Sequence, residues 1–591
     1  MADGNFLLRN VLPENRDLFE EIFLNEDSDD AEFEGWDGDD FDVVEEHRNV
    51  FEDDSWVQGG LPPSGRTFIG NAGVTNPPEE GETLSHLDIF QRFFTEDVIG
   101  MMVLETNRYA ASYLDNRTLS QHSRLKKWVP TTVGEMKAFL GMVIAMGLVR
   151  QTDIQEYWTT NEVTSTPFFG TVMSRDRFMN VMSFFHLCDN NTAVQRGLDG
   201  YSPLQKLGRP YTDILKSFEN CYNPGRNIAI DEGMIPWRGK LNFRVYSPDK
   251  PIKYGLKMYM LCDSANGYCS RLELYTGREG VQLDCSGNGS TYDVVMRLME
   301  PYLNKGHHLY TDNYYSSPQL FYDLFMNATL ACGTLRSNRR GVPKAMKEAH
   351  PAKGEISVFN NGTLVALKYA DKKDVSFLTT IHEGVMVDTG KRDHDGNRIV
   401  RPDCVLSYNK YMGAVDRCDQ MVSYNGFDRR TLKWWKKVFF HILGIAVLNS
   451  YIIYKEISQH PVLQRVFRRE VVRQLVMEAD VTGPESRGRK KGDNLQRLSA
   501  RHFIGHLPPT GTKSAARRRC VVCGPGEMEL YRAQHQGLPA PRRLGRETTF
   551  QCKQCCVPLC VEPCFELYHT KAEFVLAYKR LRLTTQPGQE E

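Results

Sequence analysis

The chain has 591 residues, 41% of them hydrophobic and 11% aromatic, which is too long for one core and too apolar for a wholly disordered protein. Its net charge of −1 hides an uneven distribution: residues 14–54 carry 19 Asp and Glu against two Arg, a local −17, so the remainder is +16. A basic body with an acidic arm points to a polyanion partner such as nucleic acid, with the arm as a competitor for it.

In chain order, residues 1–85 lack periodicity and end in the Gly-, Pro- and Asn-rich stretch Gly59 to Gly81, which predicts a disordered tail. Phe33, Trp36, Phe41 and Phe51 alternate with its acids, and Ser28 before Asp29 and Asp30 suits an acid-preferring kinase. From Leu87 the pattern turns helical, through Phe90, Phe93, Phe94, Val98, Met101 and Leu104. Thr132 and Glu135 read as a capping box ahead of Met136, Phe139, Leu140, Val143 and Met146. A further helix is expected over Arg175 to Leu187.

Strand patterns begin at Ile228. Lys257–Cys262 and Ser270–Tyr275, joined by the turn Ser264–Gly267, predict a hairpin. A helix over Tyr292–Met299, a strand over His308–Thr311 and a helix over Ser317–Met326 follow, a mixed α/β order. Residues 336–401 hold short alternating runs broken by Gly, Asn and Asp, which predicts a small β-rich insertion. Trp434 to Lys455 is helical. Its apolar run Val438–Tyr454 is interrupted by His441, Asn449 and Ser450 and reads as buried rather than membrane-spanning. No basic-then-apolar leader opens the chain, so neither a secretory signal nor a membrane partner is expected.

Three aspartates stand out within this order. Asp231 ends the apolar run Asn227–Ile230, Asp312 follows Leu309–Thr311, and Asp416 precedes the long helical stretch. Carboxylates at the ends of buried strands project charge into a cleft. Three together repel unless cations sit between them. Two-metal phosphoryl transfer needs that donor set, hard oxygens holding Mg²⁺ ions roughly 3.5–4 Å apart. Ordinary loop aspartates are the competing reading. Downstream of Asp416, Arg429, Arg430, Lys433, Lys436 and Lys437 surround Trp434 and Trp435; they could hold strand phosphates, or snorkel round tryptophans that belong to the core.

Seven of the 15 cysteines crowd between Cys520 and Cys564. Cys520-x2-Cys523 and Cys552-x2-Cys555, followed by Cys560, Cys564 and His569, have the spacing of structural zinc sites, since a tight turn brings both thiolates of each pair to one ion. Seven ligands leave two tetrahedral sites one short, so His502 or His506 supplies the eighth or one site stays incomplete. Cys556 reads as a bystander. Residues 487–546 are +11, with Arg517, Arg518 and Arg519 abutting the first pair, a density suited to DNA phosphates. Arg487–Lys491 reads as a nuclear localisation motif.

The segments Asn227–Glu232, Lys253–Lys257, Thr311–Ser317, Asn409–Asp416 with Asp419 and Gln420, Arg501–Phe503 and Pro558–Phe565 running into Tyr568–Thr570 resemble the piggyBac transposases and their domesticated relatives. The resemblance covers residues 86–572. It implies an α/β multidomain protein: an RNase H-like catalytic core in two parts (227–335 and 402–425) with a β-rich insertion at 336–401. A helical dimerisation and DNA-binding domain, also in two parts (86–226 and 426–480), would flank that core. A basic linker (481–515), a cysteine-rich zinc domain (516–572) and a C-terminal tail (573–591) would follow. It further implies Asp231, Asp312 and Asp416 as ligands of Mg²⁺ (or Mn²⁺), with Asp419 as a further acid of the motif, and one or two Zn²⁺ in the cysteine-rich domain. Lys253, Lys257, Arg336, Arg429, Arg430, Lys433 and Arg517 to Arg519 are the candidate DNA contacts. The implied activity is cut-and-paste transposition through hairpin ends into TTAA sites, by a nuclear homodimer on double-stranded DNA. A transposase-derived chromatin or DNA binder without transposition is the alternative. A RING-type ubiquitin ligase is a third reading; the terminal position of His569 and the basic flank speak against it.

Overall fold

The computed structural model describes residues 55–62, 65–79, 84–248, 252–277, 286–392, 394, 396–427, 429, 431–479, 502–509, 516–535, 541, 544–571 and 573–584. The acidic arm 14–54 with Ser28, the motif 487–491, Arg501 and Arg430 lie outside the described residues. The chain forms two units, one up to Pro484 and one from Glu485.

A ten-stranded sheet runs through the first unit. It contains β1 (Val57–Gln58) but not the small pair β2 (Gly73–Val74) and β3 (Tyr222–Asn223). Its middle is built from β4 (Asn227–Pro236), β5 (Val245–Tyr246), β6 (Tyr254–Asp263), β7 (Cys269–Leu274), β8 (His308–Thr311) and β9 (Leu330–Thr334). Across these, β7, β6, β4, β8 and β9 lie side by side, antiparallel up to β4 and parallel from β4 to β9. β4 is buried along most of its length, as an apolar central strand must be when both faces are covered. Its alternate residues serve two cores. Ile228 and Ile230 pack with Val295, Leu298, Leu320 and Phe321, while Ala229 faces the helical side.

The helical side comprises α1 (His86–Gln91), α2 (Glu96–Asp115), α3 (Val133–Leu148), α4 (Pro167–Val172), α5 (Arg175–Phe184) and α6 (Gly208–Cys221). The opposite core is covered by α7 (Ser290–Met299) and α8 (Pro318–Met326). Side-chain caps start several of these helices. Ser85 and Asp88 form a capping box, and Thr95, Thr132, Ser174 and Ser317 accept from backbone amides. Thr132 caps as expected, but Glu135 does not complete the box: its carboxylate accepts from Thr131 Oγ1 and from Arg177 Nε (2.6 Å).

The segment 336–401 holds α9 (Lys344–Glu348), β10 (Ile356–Asn360), β11 (Val365–Ala370), β12 (Asp374–Thr379), β13 (Met386–Arg392) and β14 (Arg398–Pro402). It is β-rich, but its first three strands do not stand apart. β12 pairs with β9 and extends the central sheet, while β13 and β14 form a separate hairpin. After it come α10 (Asp403–Tyr411), α11 (Ala414–Ser423), α12 (Trp434–Ile457) and α13 (Gln464–Glu478). Among the described residues α12 alone has the length and apolarity to cross a membrane, and it is mostly buried within this unit.

The expectation of a disordered tail to residue 85 needs correction. Residues 55–79, apart from 63 and 64, run as a strap along the first unit. β1 pairs with β10, Asn360 Nδ2 donates to Gly59 O (2.9 Å), Ile69 N–H donates to Lys305 O (2.9 Å), and β2 pairs with β3. A glycine-rich segment without periodicity can still satisfy the open backbone groups of an edge strand.

The second unit is small. β15 (Ile504–His506) pairs with β18 (Phe550–Cys552), and β16 (Arg518–Arg519) with β17 (Glu547–Thr548). α14 (Cys523–Gln534), α15 (Cys564–Thr570) and α16 (Phe574–Thr584) complete it. Half of its buried cluster is cysteine (Cys520, Cys523, Cys552 and Cys564), and the core is too small to hold a fold by apolar burial alone.

Candidate catalytic and metal-binding sites

Register alone sets two of the aspartates side by side. Ile230 of β4 pairs with Thr311 of β8 in a parallel ladder, so Asp231 and Asp312 are neighbours across the next step. Asp231 shares a face with Ala229, and Asp312 with Tyr310, both on the helical side. α11 lies over that face and carries Asp416 and Asp419 three residues apart. A Cβ on Gly233 of β4 would stand 3.2 Å from Asp419 Oδ1, which shows how closely the helix approaches the strand. Asp416 is exposed; Asp231, Asp312 and Asp419 are half-buried.

The expectation that Asp231 ends its strand needs correction: β4 continues to Pro236, so Asp231 sits in mid-strand and only Asp312 follows a strand end. Local hydrogen bonds fix both carboxylates. Glu232 N–H donates to Asp231 Oδ1 (2.8 Å), and Tyr314 N–H donates to Asp312 Oδ1 (3.0 Å). Burial, and then the neighbouring Glu232 carboxylate, push the Asp312 carboxyl above its ordinary range; the Tyr314 amide and Lys257 oppose this. Crowded anions of this kind are what a divalent cation relieves, and an all-oxygen donor set suits Mg²⁺ or Mn²⁺. Among the described residues, the groups whose ligating atoms all lie within 4.8 Å of one another are two sets in the cysteine-rich unit. No three of the four aspartates therefore have ligating atoms all within that distance of one another. A cavity of about 260 Å³ adjoins them, lined by Glu232, Asp416 and Asp419 with Lys437, Phe427 and Phe440.

The candidate DNA contacts fall into three groups. Lys253, Arg517 and Arg518 are exposed. Arg336 is exposed beside the site, its Nε donating to Asn313 Oδ1 (3.3 Å), next to Asp312. The other described candidates, Lys257, Arg429, Lys433 and Arg519, have protein partners. Lys257 Nζ pairs with Glu232 Oε1 (2.9 Å) and lies 4.1 Å from the Tyr314 ring centre. Arg429 donates to Gln151 O (2.6 Å), Thr152 O (3.1 Å) and the Tyr157 hydroxyl (2.9 Å). Lys433 sits over Tyr109, and Arg519 Nε donates to Leu544 O (2.6 Å). Lys436 is fully enclosed and donates to Met182 O (2.5 Å), and burial drives its ammonium well below the usual range. Trp435 is buried against Phe185 and His186, so the tryptophan belongs to the core.

The cysteine cluster resolves into two sets. Cys520, Cys523, Cys560 and Cys564 form one; His502, Cys552, Cys555 and His569 form the other. His502, not His506, supplies the eighth donor, and Cys556 is exposed and outside both sets. Sulfurs bound tetrahedrally at about 2.3 Å stand roughly 3.8 Å apart. Cys523 and Cys560 Sγ are 3.9 Å apart. His502 Nδ1 lies 3.4 and 3.3 Å from the sulfurs of Cys552 and Cys555, and His569 Nε2 lies 3.6 Å from Cys555 Sγ. His569 Nδ1 is 2.7 Å from Phe565 O, a contact that orients the ring with Nε2 inward. Both sets fit a tetrahedral thiophilic ion such as Zn²⁺. Along the chain their members alternate, so neither can close without bringing the other's ligands near.

A sheet with two aspartates side by side on neighbouring strands under an acidic helix, and a separate cysteine–histidine unit, together define a transposase-like protein. The sequence model of the transposase IS4 family matches residues 85–451, more than half of the chain. The chain belongs to that family, in its piggyBac branch. It is 25% identical over 519 residues to the human piggyBac transposable element-derived protein 3, spanning 84% of this chain and 79% of that protein. To the human piggyBac transposable element-derived protein 5 it is 25% identical over 409 residues, 67% of this chain and 75% of the other. Its fold is similar to that of the piggyBac transposase in a synaptic complex with hairpin DNA, with a TM-score of 0.63 and 24% identity over 83% of this chain and 98% of the other.

Proposed function

We propose that the chain is a piggyBac-type DNA transposase whose first unit contains an RNase H-like nuclease core. The observation that carries this is the juxtaposition of Asp231 and Asp312 on neighbouring parallel strands beneath the helix bearing Asp416 and Asp419. The strand order β7-β6-β4-β8-β9, three antiparallel and then two parallel, supports that core.

In this reading Asp231, Asp312 and Asp416 hold Mg²⁺ or Mn²⁺, with Asp419 beside them. Cations held there would supply Lewis acidity for in-line displacement at phosphorus, first by water and then by a 3′-hydroxyl. The chain's own part is positioning. Asp231 and Asp312 are anchored by backbone amides, and Lys257 offsets the charge of Glu232. Arg336 and the exposed Lys253 hold strand phosphates near the cut. Zn²⁺ in the two sets holds the second unit together, and Arg517 and Arg518 there engage terminal-repeat DNA. Action as a nuclear homodimer, through hairpin ends and into TTAA, completes the proposal.

Asp312→Asn tests it, because the substitution removes a metal ligand and no phosphate contact. Strand cleavage should be lost with DNA binding nearly intact; normal cleavage would sink the assignment. Deleting residues 516–572 should weaken end binding while the first unit stays folded. The second reading, a DNA binder derived from a transposase, draws on the human relatives, which are named as transposable element-derived. Excision in cells of a reporter flanked by candidate terminal repeats, compared with Asp231→Ala, separates the two.

A further inference from the structure

Helix α11 carries two of the four acids, and its two ends are held by different parts of the first unit. Near its N-terminus the sheet holds it: Arg417 Nη1 donates to Ala265 O (3.0 Å), and Ser264 Oγ donates to Tyr411 O (2.7 Å), both from the turn between β6 and β7. At its C-terminus the helical region holds it. Arg150, just beyond α3, donates through Nη2 to Ser423 O (2.8 Å) and Tyr424 O (3.1 Å). These carbonyls belong to the last turn and have no intrahelical donor of their own, and a cation there also complements the helix dipole. The next residue is held by close approach. A Cβ on Gly147 of α3 would stand 2.1 Å from Asn425 O, so only glycine fits. Arg468 of α13 reaches the same carbonyl at 3.5 Å. It is 1% exposed, and its Nε and Nη2 have no hydrogen-bond partner among the described residues. The strand of chain that leaves the helix is then fastened to the same segment by Arg429, through Gln151, Thr152 and Tyr157.

We propose that Arg150 is a positioning residue for the carboxylates of α11: through the Ser423 and Tyr424 carbonyls it fixes the helix's height and rotation over β4, and so the divalent-cation affinity of the site. Gly147 and Arg468 form the wall it holds the helix against. The helical region thereby sets the geometry of acids that stand on the sheet side, and a shift of α3 would be felt at Asp416 and Asp419. Arg150 and Arg429 do this work through backbone carbonyls, where a count of basic residues would place DNA contacts. The proposal rests on the reading of Asp416 as a metal ligand.

The test uses the full chain and three variants, Arg150→Ala, Arg150→Lys and Asp416→Asn. Because Arg150 is exposed, its replacement leaves the apolar core untouched. Hydrogen exchange is followed in peptides covering 414–425. Mn²⁺ binding is followed by the paramagnetic resonance of the free ion, with the site's share taken as wild type minus Asp416→Asn. Arg150→Ala should speed exchange in 414–425 relative to the rest of the unit and raise the Mn²⁺ half-saturation about tenfold, the order found when an outer partner of a metal ligand is lost. Arg150→Lys, which can reach one carbonyl but not both, should fall between. Unchanged exchange in 414–425, or faster exchange with unchanged Mn²⁺ half-saturation, would overturn the positioning role. Equal Mn²⁺ binding by wild type and Asp416→Asn would instead refute the catalytic reading of Asp416, with the exchange data still judging whether Arg150 holds the helix.

Discussion

The strand that leads to Asp312 is predicted to make the first unit acid-sensitive in a measurable way. His307 directly precedes β8 and His308 opens it, and both are buried. His307 Nδ1 is 3.0 Å from Gly225 O, and its ring meets Phe68 of the strap edge-on at 4.9 Å. His308 Nε2 accepts from Arg226, 2.8 Å from Nη2, which requires that nitrogen to be unprotonated. Burial first, and then nearby cations, lower the pKa of His307 to about 4 and that of His308 to about 3. Among the described residues the charged or titratable groups that act on them are Arg226, Lys305 and His382, none of them a carboxylate that would stabilise a charged ring. Both folded-state values lie below the unfolded 6.5, so the stabilisation is present above pH 6.5 and is lost as pH falls towards 4 and 3. Over about pH 6 to 5 the unfolded chain binds up to two protons that the folded chain refuses. At about 1.36 kcal/mol per proton per pH unit, that steepens the loss of stability by up to about 2.7 kcal/mol per unit. The assay is urea unfolding of the full chain at several pH values, read by exchange protection of peptides covering 300–311. Carboxylates also contribute in this range, so the comparison is with His308→Gln, whose amide oxygen can still accept from Arg226. The variant's curve should be shallower by about 1.4 kcal/mol per pH unit. Parallel curves for the two proteins would refute the assignment of a buried, neutral His308.

The alternating zinc-type sets predict two Zn²⁺ per chain by elemental analysis, with Cys520→Ser reducing the content by one or two; full retention would argue against the all-cysteine set. Chelation should raise hydrogen exchange across residues 502–584 while protection of β4 and β8 is unchanged. Gly333→Ala places a Cβ 2.4 Å from Ser316 Oγ and from Thr311 O, against the loop that presents Asp312. It should cost about 1–3 kcal/mol in unfolding free energy and lower cleavage with it; wild-type stability would show that the loop has more room than the structure gives it.

Much of the architecture is legible because burial leaves a period in the sequence. The strand His308–Thr311 matches its expected bounds residue for residue, since an apolar run ended by Asp and flanked by Gly306 can hardly extend. The helix expected to Leu187 stops at Phe184, because residues 185–187 are apolar for tertiary reasons: Phe185 packs against Trp435 and Phe439 rather than continuing the turn. The strap at 55–79 leaves no trace, because two-residue strands draw their pairing from a partner far away in sequence and carry no period of their own.

The candidate site divides along the same line. Asp312 is recognisable because an acid directly after a buried strand has few places to go but a cleft. Asp231 stands out as an acid after an apolar run although its strand continues to Pro236, and the register then makes the two neighbours. Basic residues give no such guidance. A guanidinium serves a phosphate and a helix-end carbonyl with the same donors, so composition cannot separate the exposed Arg336 from Arg429, whose bonds go to Gln151, Thr152 and Tyr157. Only the position of the carbonyls decides, and that is a property of the fold. The arginines that close on α11 are thus part of how the acidic helix is held, whereas the side chains of Lys253, Arg336, Arg517 and Arg518 are exposed.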